Sequence, residues 1–302
     1  MRRKKRVLVI GANSGVAKAL CPKVKGEFEL VGTYFKNAPD RDYFSRLIKV
    51  NLLLKHLGQL KKELLLADEI VFTAGYYLPK HSNKEILDSN FTSLKNVVDL
   101  YESLKLKSRF IFLSSSGVYS TSKSNLIAER SRRISNSVYG KAKILAEDYL
   151  KHSQVPYVIL RPTMIFGKNF SHTFKQLESN LLQNRIFVYG KGNNWCTYTY
   201  EEDLVKVIRK VLLSDIVNDD FNVCNPPIKQ LDFWKTLMQI YSIKDISYLE
   251  KQDALSDLAH PFDKGFIVRM TRSRVFNCKK VESALKIKLG NNFNKAAQET
   301  FK

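Results

Sequence analysis

Short, continuously apolar runs alternate with longer amphipathic stretches through the first half of the chain. This rhythm restricts the fold more than any other feature. Val7–Ile10, Glu29–Thr33, Leu47–Val50, Ile70–Ala74, Phe110–Ser114 and Val158–Leu160 read as strands. Strands that are apolar on both faces are what a parallel sheet covered by helices requires. Between them lie helical patterns. Asn90–Leu104 carries Leu94, Val97, Val98 and Tyr101 on one face, and Ser137–Leu150 carries Ala142, Leu145, Ala146 and Tyr149. Strand–helix alternation repeated this often predicts an α/β, doubly wound parallel sheet.

After Arg161-Pro162 the rhythm changes. Gly and Asn gather in "YGKGNN", prolines in "NPP", and the segments become shorter and mixed. The expected division is a sheet domain over residues 1–164 and a smaller lobe over 165–302, with some later segments returning to the sheet domain. A chain of 302 residues can bury roughly three quarters of its unfolded surface, enough for such a core. No internal repeat or low-complexity linker interrupts it.

Lys and Arg total 50 against 29 Asp and Glu, a net charge of +21. That balance suits anionic partners such as nucleotides, phosphosugars, nucleic acid or a membrane surface, and it equally suits a lysine-rich solvated surface. Met1-Arg2-Arg3-Lys4-Lys5-Arg6 mimics the start of a signal peptide, but the apolar run Val7–Ile10 is too short to complete one. No stretch reaches membrane-spanning length. Cys21, Cys196, Cys224 and Cys278 are widely spaced, so a reduced, cytoplasmic protein is the simplest expectation. His56, His81, His152, His172 and His260 lack metal-ligand spacing, and no metal is expected.

The first predicted strand runs into "GANSGVAKAL". A phosphate-binding turn needs small residues there, so that backbone N–H groups at a helix N-terminus can approach the anion. Gly11, Ser14, Gly15 and Ala17 provide them, and Gly11, Asn13, Ser14, Gly15 and Val16 form the candidate cofactor turn. The spacing Gly11-x-x-x-Gly15-x-Ala17 departs from G-x-G-x-x-G, and alone it fits a plain tight turn as well. A NAD site usually ends its second strand in Asp or Glu, which holds the ribose 2′-OH. Here "VGTYFKN" places Tyr34 near that position and Lys36 just after it. A missing acid beside a cation favours NADP, with NAD as the alternative.

Four Tyr-x-x-x-Lys pairs occur: Tyr76/Lys80, Tyr101/Lys105, Tyr119/Lys123 and Tyr139/Lys143. The spacing puts both side chains on one helix face. Pro79 opposes a helix in the first pair, the second ends a helix, and the third lies in a Ser/Thr-rich stretch. Only Tyr139/Lys143 opens a good helix after a strand ending in hydroxyls, "FIFLSSSGVY". A tyrosine ionises near ~10 in water. An ammonium at ~4 Å contributes up to about 4 kcal/mol at an effective dielectric of ~20, or about three pKa units before desolvation. A serine hydroxyl beside such a tyrosine can hold a substrate oxygen.

"SSSGVY", "YGKAKILAE", "LRPTMIFG" and "VYGKGNNWCTYTYEEDL", with "FTAG" and "NFTSLKNV", resemble the extended short-chain dehydrogenase/reductase family. More narrowly they resemble its nucleotide-sugar epimerase/dehydratase group, from about Val7 to Asn225. The resemblance implies a Rossmann domain binding NAD(P) and a smaller lobe binding a nucleotide-diphosphate sugar. The catalytic hydroxyl falls on Ser115, with Ser114 and Ser116 as close competitors. Tyr139 becomes the acid/base, and Lys143 holds the nicotinamide ribose and lowers the pKa of Tyr139. Ala74 and Asn90 join the cofactor set. Ser116, Asn169, Lys191 and Cys196 are the candidate substrate contacts. A homodimer through Asn90–Leu104 and Tyr139–Leu150 is also implied.

The chain departs from the group in informative ways. Ser116-Gly117 stand where dehydratases carry Asp-Glu, and Gly117 stands where GDP-fucose synthases carry a cysteine, which argues against 4,6-dehydration and 3,5-epimerisation. His172 nonetheless follows "IFG" at short range. Cys196 replaces a phosphate-gripping arginine of UDP-sugar epimerases, a role left to Lys191 or Arg269, and Ser120 replaces a glycine. The leading expectation is NADP-linked reduction of a keto-sugar nucleotide with Tyr139 as proton donor. The alternatives are a nucleotide-sugar 4-epimerase holding NAD, and a non-catalytic nucleotide- or RNA-binding protein. The intact Ser115/Tyr139/Lys143 set opposes the last, and nucleic acid is not expected as a partner.

Overall fold

The computed structural model describes residues 3–54, 57–76, 81–119, 126–183, 186–244, 246–256 and 271–301. Lys80, Ser120, Lys123 and Arg269 lie outside the described residues. Seven strands form the main sheet: β1 (Arg6–Ile10), β2 (Glu29–Tyr34), β3 (Arg46–Lys49), β4 (Glu69–Phe72), β5 (Arg109–Leu113), β6 (Tyr157–Pro162) and β7 (Asp219–Val223). All their pairings are parallel, in the order β3-β2-β1-β4-β5-β6-β7. This is the Rossmann-type doubly wound order, and its direction reverses between β1 and β4.

The continuous apolar character of the strands has a period-two explanation. Val7 and Val9 face one side of the sheet with Val71, Ile111, Val158 and Leu160. There they meet α1 (Gly15–Val24) and a later helix, Glu201–Leu212. Leu8 and Ile10 face the other side with Ile70, Phe72, Phe110, Phe112 and Ile159. They are covered by α2 (Gly58–Leu66), α3 (Ser93–Ser103) and α4 (Val138–His152). These named positions are buried on both faces, which is why the strands read as near-continuous apolar runs. Later helices include α5 (Glu201–Leu212), α6 (Gln230–Tyr241), α7 (Lys279–Leu285) and α8 (Phe293–Phe301).

A separate aromatic cluster builds the C-terminal lobe. Phe166 stacks on Phe174 with ring centroids 4.4 Å apart and meets Phe293 edge-on at 5.3 Å. Phe233, Trp234 and Phe301 close it. Offset and edge-to-face packing of this kind adds roughly 0.5–1.5 kcal/mol per pair beyond area burial.

Two features were not legible in the sequence pattern. β7 opens with Asp219-Asp220 and carries buried Asn222, so it lacks an apolar run. It pairs in register with β6, placing Asn222 beside Arg161. The expectation of reduced cysteines is corrected: Cys224, just past β7, and Cys278, the N-cap of α7, form a disulfide with a Cα separation of 5.9 Å. Their 54-residue spacing conceals that both strand and helix converge at the sheet edge. Cys21 and Cys196 are free and buried. Among the described residues no helix is long and apolar enough to cross a membrane.

A cross-link closing a loop of this size stabilises by about 4 kcal/mol in the chain-entropy account. Adding dithiothreitol is therefore expected to lower the urea midpoint of the wild type and to leave that of Cys224→Ser/Cys278→Ser unchanged. Equal wild-type midpoints with and without reductant would refute this contribution.

Candidate active site

The exits of β1 and β4 lie side by side at the sheet's switch point. Gly11 has φ +92°, and a Cβ there would stand 2.6 Å from the backbone nitrogen of Ala74. Both the left-handed backbone and the close approach require glycine. Ser14 caps α1, its Oγ accepting from the Ala17 N–H at 3.1 Å and donating to Thr73 Oγ1 at 2.9 Å. Thr73 in turn donates to the Gly11 carbonyl at 2.9 Å. Ala17 is fully buried where α1 packs on the sheet. Asn13 and Val16 are part-exposed on the same turn. The Cβ direction of Gly15 meets the Asn169 carbonyl oxygen and the Phe170 ring, each at 3.0 Å.

The turn thus places the N-terminus of α1, a ten-residue helix, at the crevice where open α/β sheets bind ligands. Oriented N–H groups and the positive helix end there fit a dinucleotide pyrophosphate. At the end of β2, Tyr34 is part-exposed and Lys36 is exposed. Residues 34–37, Tyr-Phe-Lys-Asn, include no acid. Lys36 lies in the field of Glu85, whose carboxyl is held below its ordinary value mainly by hydrogen bonds from Ser82.

Asn90 sits on a π-helical turn, Asp88–Thr92, that runs into α3. The wider turn swings its side chain inward, as such insertions do at functional sites. Its Nδ2 donates to the carbonyls of Tyr76 at 2.8 Å and Ile86 at 2.9 Å. Its Oδ1 is buried without a donor, against the Cα of Gly75. A buried unpaired acceptor is a costly feature, about 1–3 kcal/mol, placed at the exit of β4.

Ser115 and Tyr139 converge on Gly117. A Cβ on Gly117 would lie 3.3 Å from Ser115 Oγ and 3.4 Å from Tyr139 Cε1. Ser115 Oγ accepts from the Gly117 N–H at 3.0 Å. Ser114 turns the other way, donating to Glu147. Ser116 opens the short 3₁₀ turn Ser116–Tyr119. Ser137 caps α4 through the Gly140 N–H at 3.0 Å. Gly140 itself has no room for a side chain, since a Cβ would stand 2.6 Å from the Gly117 carbonyl. That contact brings Tyr139 to the serine turn, and sequence reasoning passed over it.

Lys143 lies one helical turn beyond Tyr139, 4% exposed. Its Nζ donates to the Leu113 carbonyl at 2.8 Å and stands 5.8 Å from the Tyr139 ring centroid. Burial pushes its pKa down to about 7, and the charge of Glu147 opposes that shift. Glu147, on the same face of α4, accepts from Arg161 Nε at 2.8 Å and Nη2 at 2.7 Å, and from Arg133 Nη1 at 2.9 Å. Arg161 also donates to Tyr119 Oη at 2.7 Å and pairs with Asp220. Neither Glu147 nor Arg161 was singled out in the sequence. The signal was available for Glu147, because Tyr139, Lys143 and Glu147 recur every four residues.

The substrate candidates are scattered. Asn169 borders Gly15 through its carbonyl, while its amide donates to Glu201 at 3.3 Å. Lys191 is exposed in the turn after the strand Phe187–Tyr189. Cys196 belongs to the aromatic lobe core, and burial raises its thiol to about 12. His172 is exposed. The other Tyr-x-x-x-Lys tyrosines have structural partners: Tyr76 stacks on His81 with ring centroids 4.1 Å apart, Tyr101 donates to the Ser108 carbonyl at 2.7 Å, and Tyr119 receives Arg161.

A glycine turn at a sheet switch point and a Ser/Tyr/Lys cluster at the neighbouring strand end thus occupy one α/β fold with a small second lobe. The sequence model of the NAD dependent epimerase/dehydratase family matches residues 7–224, and the chain belongs to that family. A search of curated proteins finds no match. Among solved structures, the UDP-glucuronic acid 4-epimerase of Bacillus cereus, in complex with NAD, superposes with a TM-score of 0.77 at 19% identity over 98% of this chain and 97% of that one. The UDP-glucose 4-epimerase of Thermotoga maritima, with UDP-glucose, gives 0.75 at 14% identity over 98% and 97%. RMD of Pseudomonas aeruginosa, complexed with NADPH, gives 0.72 at 16% identity over 99% and 98%. At these identities the likeness is one of fold.

Unfolding returns Lys143 toward its ordinary value of 10.5. Between about 7 and 10.5 the unfolded chain therefore binds the extra proton, and stability rises with pH across that window. Lys143→Met removes this titration. The wild type is expected to gain on the variant as pH rises through the window, by up to ~1.4 kcal/mol per unit, in urea denaturation. A pH-independent difference would mean that the amine is not desolvated.

Proposed function

We propose that the protein is a nicotinamide-dependent oxidoreductase acting at a sugar carbon of a nucleotide-diphosphate sugar. The observation that carries this reading is the convergence of Ser115 and Tyr139 on Gly117, with the buried amine of Lys143 beneath them. Gly11, Ser14 and Gly15 would hold the dinucleotide phosphates, and Ala74 and Asn90 would border its nicotinamide half. When bound, the reduced cofactor supplies a hydride to the carbonyl carbon. Ser115 Oγ donates a hydrogen bond to the carbonyl oxygen, and Tyr139 transfers its phenolic proton to that oxygen. Charged Lys143 stabilises the phenolate left behind, and it also lowers the pKa of Tyr139 for the reverse direction. Family membership and the nucleotide-sugar enzymes among the structural relatives support the substrate class.

Reduction of a keto-sugar nucleotide with NADPH is the reading favoured by the β2 terminus, where Tyr34 and Lys36 occupy the stretch in which a NAD site usually carries an acid. A 4-epimerase, oxidising and re-reducing one carbon with retained NAD, is favoured by the contact of Asn169 and Phe170 with Gly15, which covers one side of the cofactor turn. Consumption of added NADPH separates the two, since an epimerase needs no added cofactor.

Tyr139→Phe keeps the ring and removes the transferable proton. It is expected to lose roughly 10²–10⁴-fold in turnover while still binding the dinucleotide. Tyr101→Phe, remote from the cluster, serves as the control. Wild-type turnover by Tyr139→Phe on a verified sugar nucleotide would remove the proposed mechanism.

Lys36→Glu supplies the missing acid and is expected to shift relative affinity from NADPH toward NADH. Titration of both cofactors by fluorescence reads the shift. An unchanged affinity ratio would show that Lys36 does not face a 2′-phosphate.

A further inference from the structure

We infer that Glu201 is a positioning residue which latches the strap Gly167–Phe170 onto the cofactor turn, and that this latch slows release of a bound nicotinamide dinucleotide. The inference rests on the nicotinamide-dependent reading above.

Glu201 is the first residue of α5 and is 3% exposed. Both carboxylate oxygens are committed to one residue of the strap. Oε2 accepts from the Asn169 backbone N–H at 3.1 Å, and Oε1 accepts from its Nδ2 at 3.3 Å. Gly167 presses against the same carboxyl, with φ +148°, and a Cβ there would stand 2.2 Å from Glu201 Cδ. The C-terminal helix holds the strap from a second side. The Gly167 N–H donates to Thr300 Oγ1 at 2.7 Å, and Thr300 donates to the Ala296 carbonyl at 2.7 Å. The Phe170 N–H closes the turn onto the Gly167 carbonyl at 2.9 Å.

The far side of this strap meets the dinucleotide turn, where the Asn169 carbonyl and the Phe170 ring approach Gly15. One residue, Asn169, thus joins a buried carboxylate at the start of α5 to a glycine of the proposed cofactor turn. A buried carboxylate is costly unless hydrogen-bonded. Burial, with Glu299 and Glu202 nearby, raises the pKa of Glu201, and the two Asn169 donors oppose that shift. Lifting the strap would leave the carboxylate buried without those donors. Movement of the strap away from the turn is therefore opposed by Glu201, and departure of a ligand held by that turn is coupled to it. An aliphatic residue at this position would pack equally well but would leave both Asn169 donors free.

The test is displacement of bound NADPH, and separately NADH, by excess oxidised dinucleotide in stopped-flow fluorescence, with a urea midpoint for each variant. Glu201→Ala is expected to accelerate release roughly ten- to a hundredfold, the usual worth of hydrogen bonds to a charged group. Glu201→Gln keeps one acceptor and is expected to fall between. Glu201→Gln combined with Asn169→Asp reverses donor and acceptor and is expected to restore slow release. A merely structural role would lower the midpoint and leave the release rate alone. Unchanged release in folded Glu201→Ala or Glu201→Gln overturns the latch while leaving the nicotinamide reading intact. Slower release, the result of a strap that obstructs the turn, also overturns it. A wild type that binds neither dinucleotide overturns both.

Discussion

Glu147 and Arg161 are both fully buried, and their pairing fixes the geometry on which the candidate site depends. Removing two charges from water is expensive, and the attraction offsets that cost only when the remaining donors and acceptors are also filled. Here they are filled by Ser114, Arg133, Tyr119 and Asp220. The pair therefore joins the end of β5, the serine turn, α4, β6 and β7. Because Tyr139 and Lys143 share the helix face of Glu147, drawing Glu147 onto the sheet also sets their direction. Breaking such a pair on one side typically loses 3–5 kcal/mol. The site is consequently built against a fully buried ion pair, which resists the rotation of α4 that would separate Tyr139 from Ser115.

The same sheet places the other half of the site. The reversal of strand order between β1 and β4 opens a crevice there, and the Gly11–Ala74 approach narrows it to backbone thickness. One strand further, β5 delivers Ser115. The two halves are rigid relative to each other because both are strand ends of one hydrogen-bonded sheet. The second lobe has its own aromatic core, so it reaches this platform through particular contacts. The strap residue Asn169, whose carbonyl approaches Gly15, is one of them.

The first six strands were legible because burial on both faces leaves an unbroken apolar run. The seventh was not, because Asp220 and Asn222 lie beside a buried arginine that local periodicity cannot reveal. Tyr139 and Lys143 stood out through helical spacing next to a hydroxyl-ending strand. Three adjacent serines could be ranked only by resemblance, and the backbone then turned Ser114 inward to Glu147 and Ser115 toward Gly117 and the Tyr139 ring. Cys196 was named by alignment with an arginine, yet its strand points it into the aromatic core. Glu147 and Glu201 escaped notice for a common reason. A carboxylate on a helix usually signals a solvated face, and only tertiary packing shows that these two are buried and paired. The disulfide was hidden by distance in sequence.

The charge balance acquires a sharper meaning once burial is known. Among the described residues Glu63, Glu69, Glu147, Glu201 and Asp203 are buried, against the cations Arg109, Lys143 and Arg161. Among the described residues more negative than positive charge is thus withdrawn from the surface, in a chain whose sequence balance is already +21. A surface field of one sign raises the local concentration of oppositely charged ligands and their encounter rates, and it weakens with added salt. A nicotinamide dinucleotide and a nucleotide-diphosphate sugar are both polyanions, and the proposed reaction requires both in one crevice. A positive long-range field would attract both without distinguishing them. On the proposed reading, discrimination falls to short-range groups: the glycine turn for one, the residues around Ser115 and Tyr139 for the other. In the proposed reaction this division of labour would let one crevice serve two phosphorylated ligands.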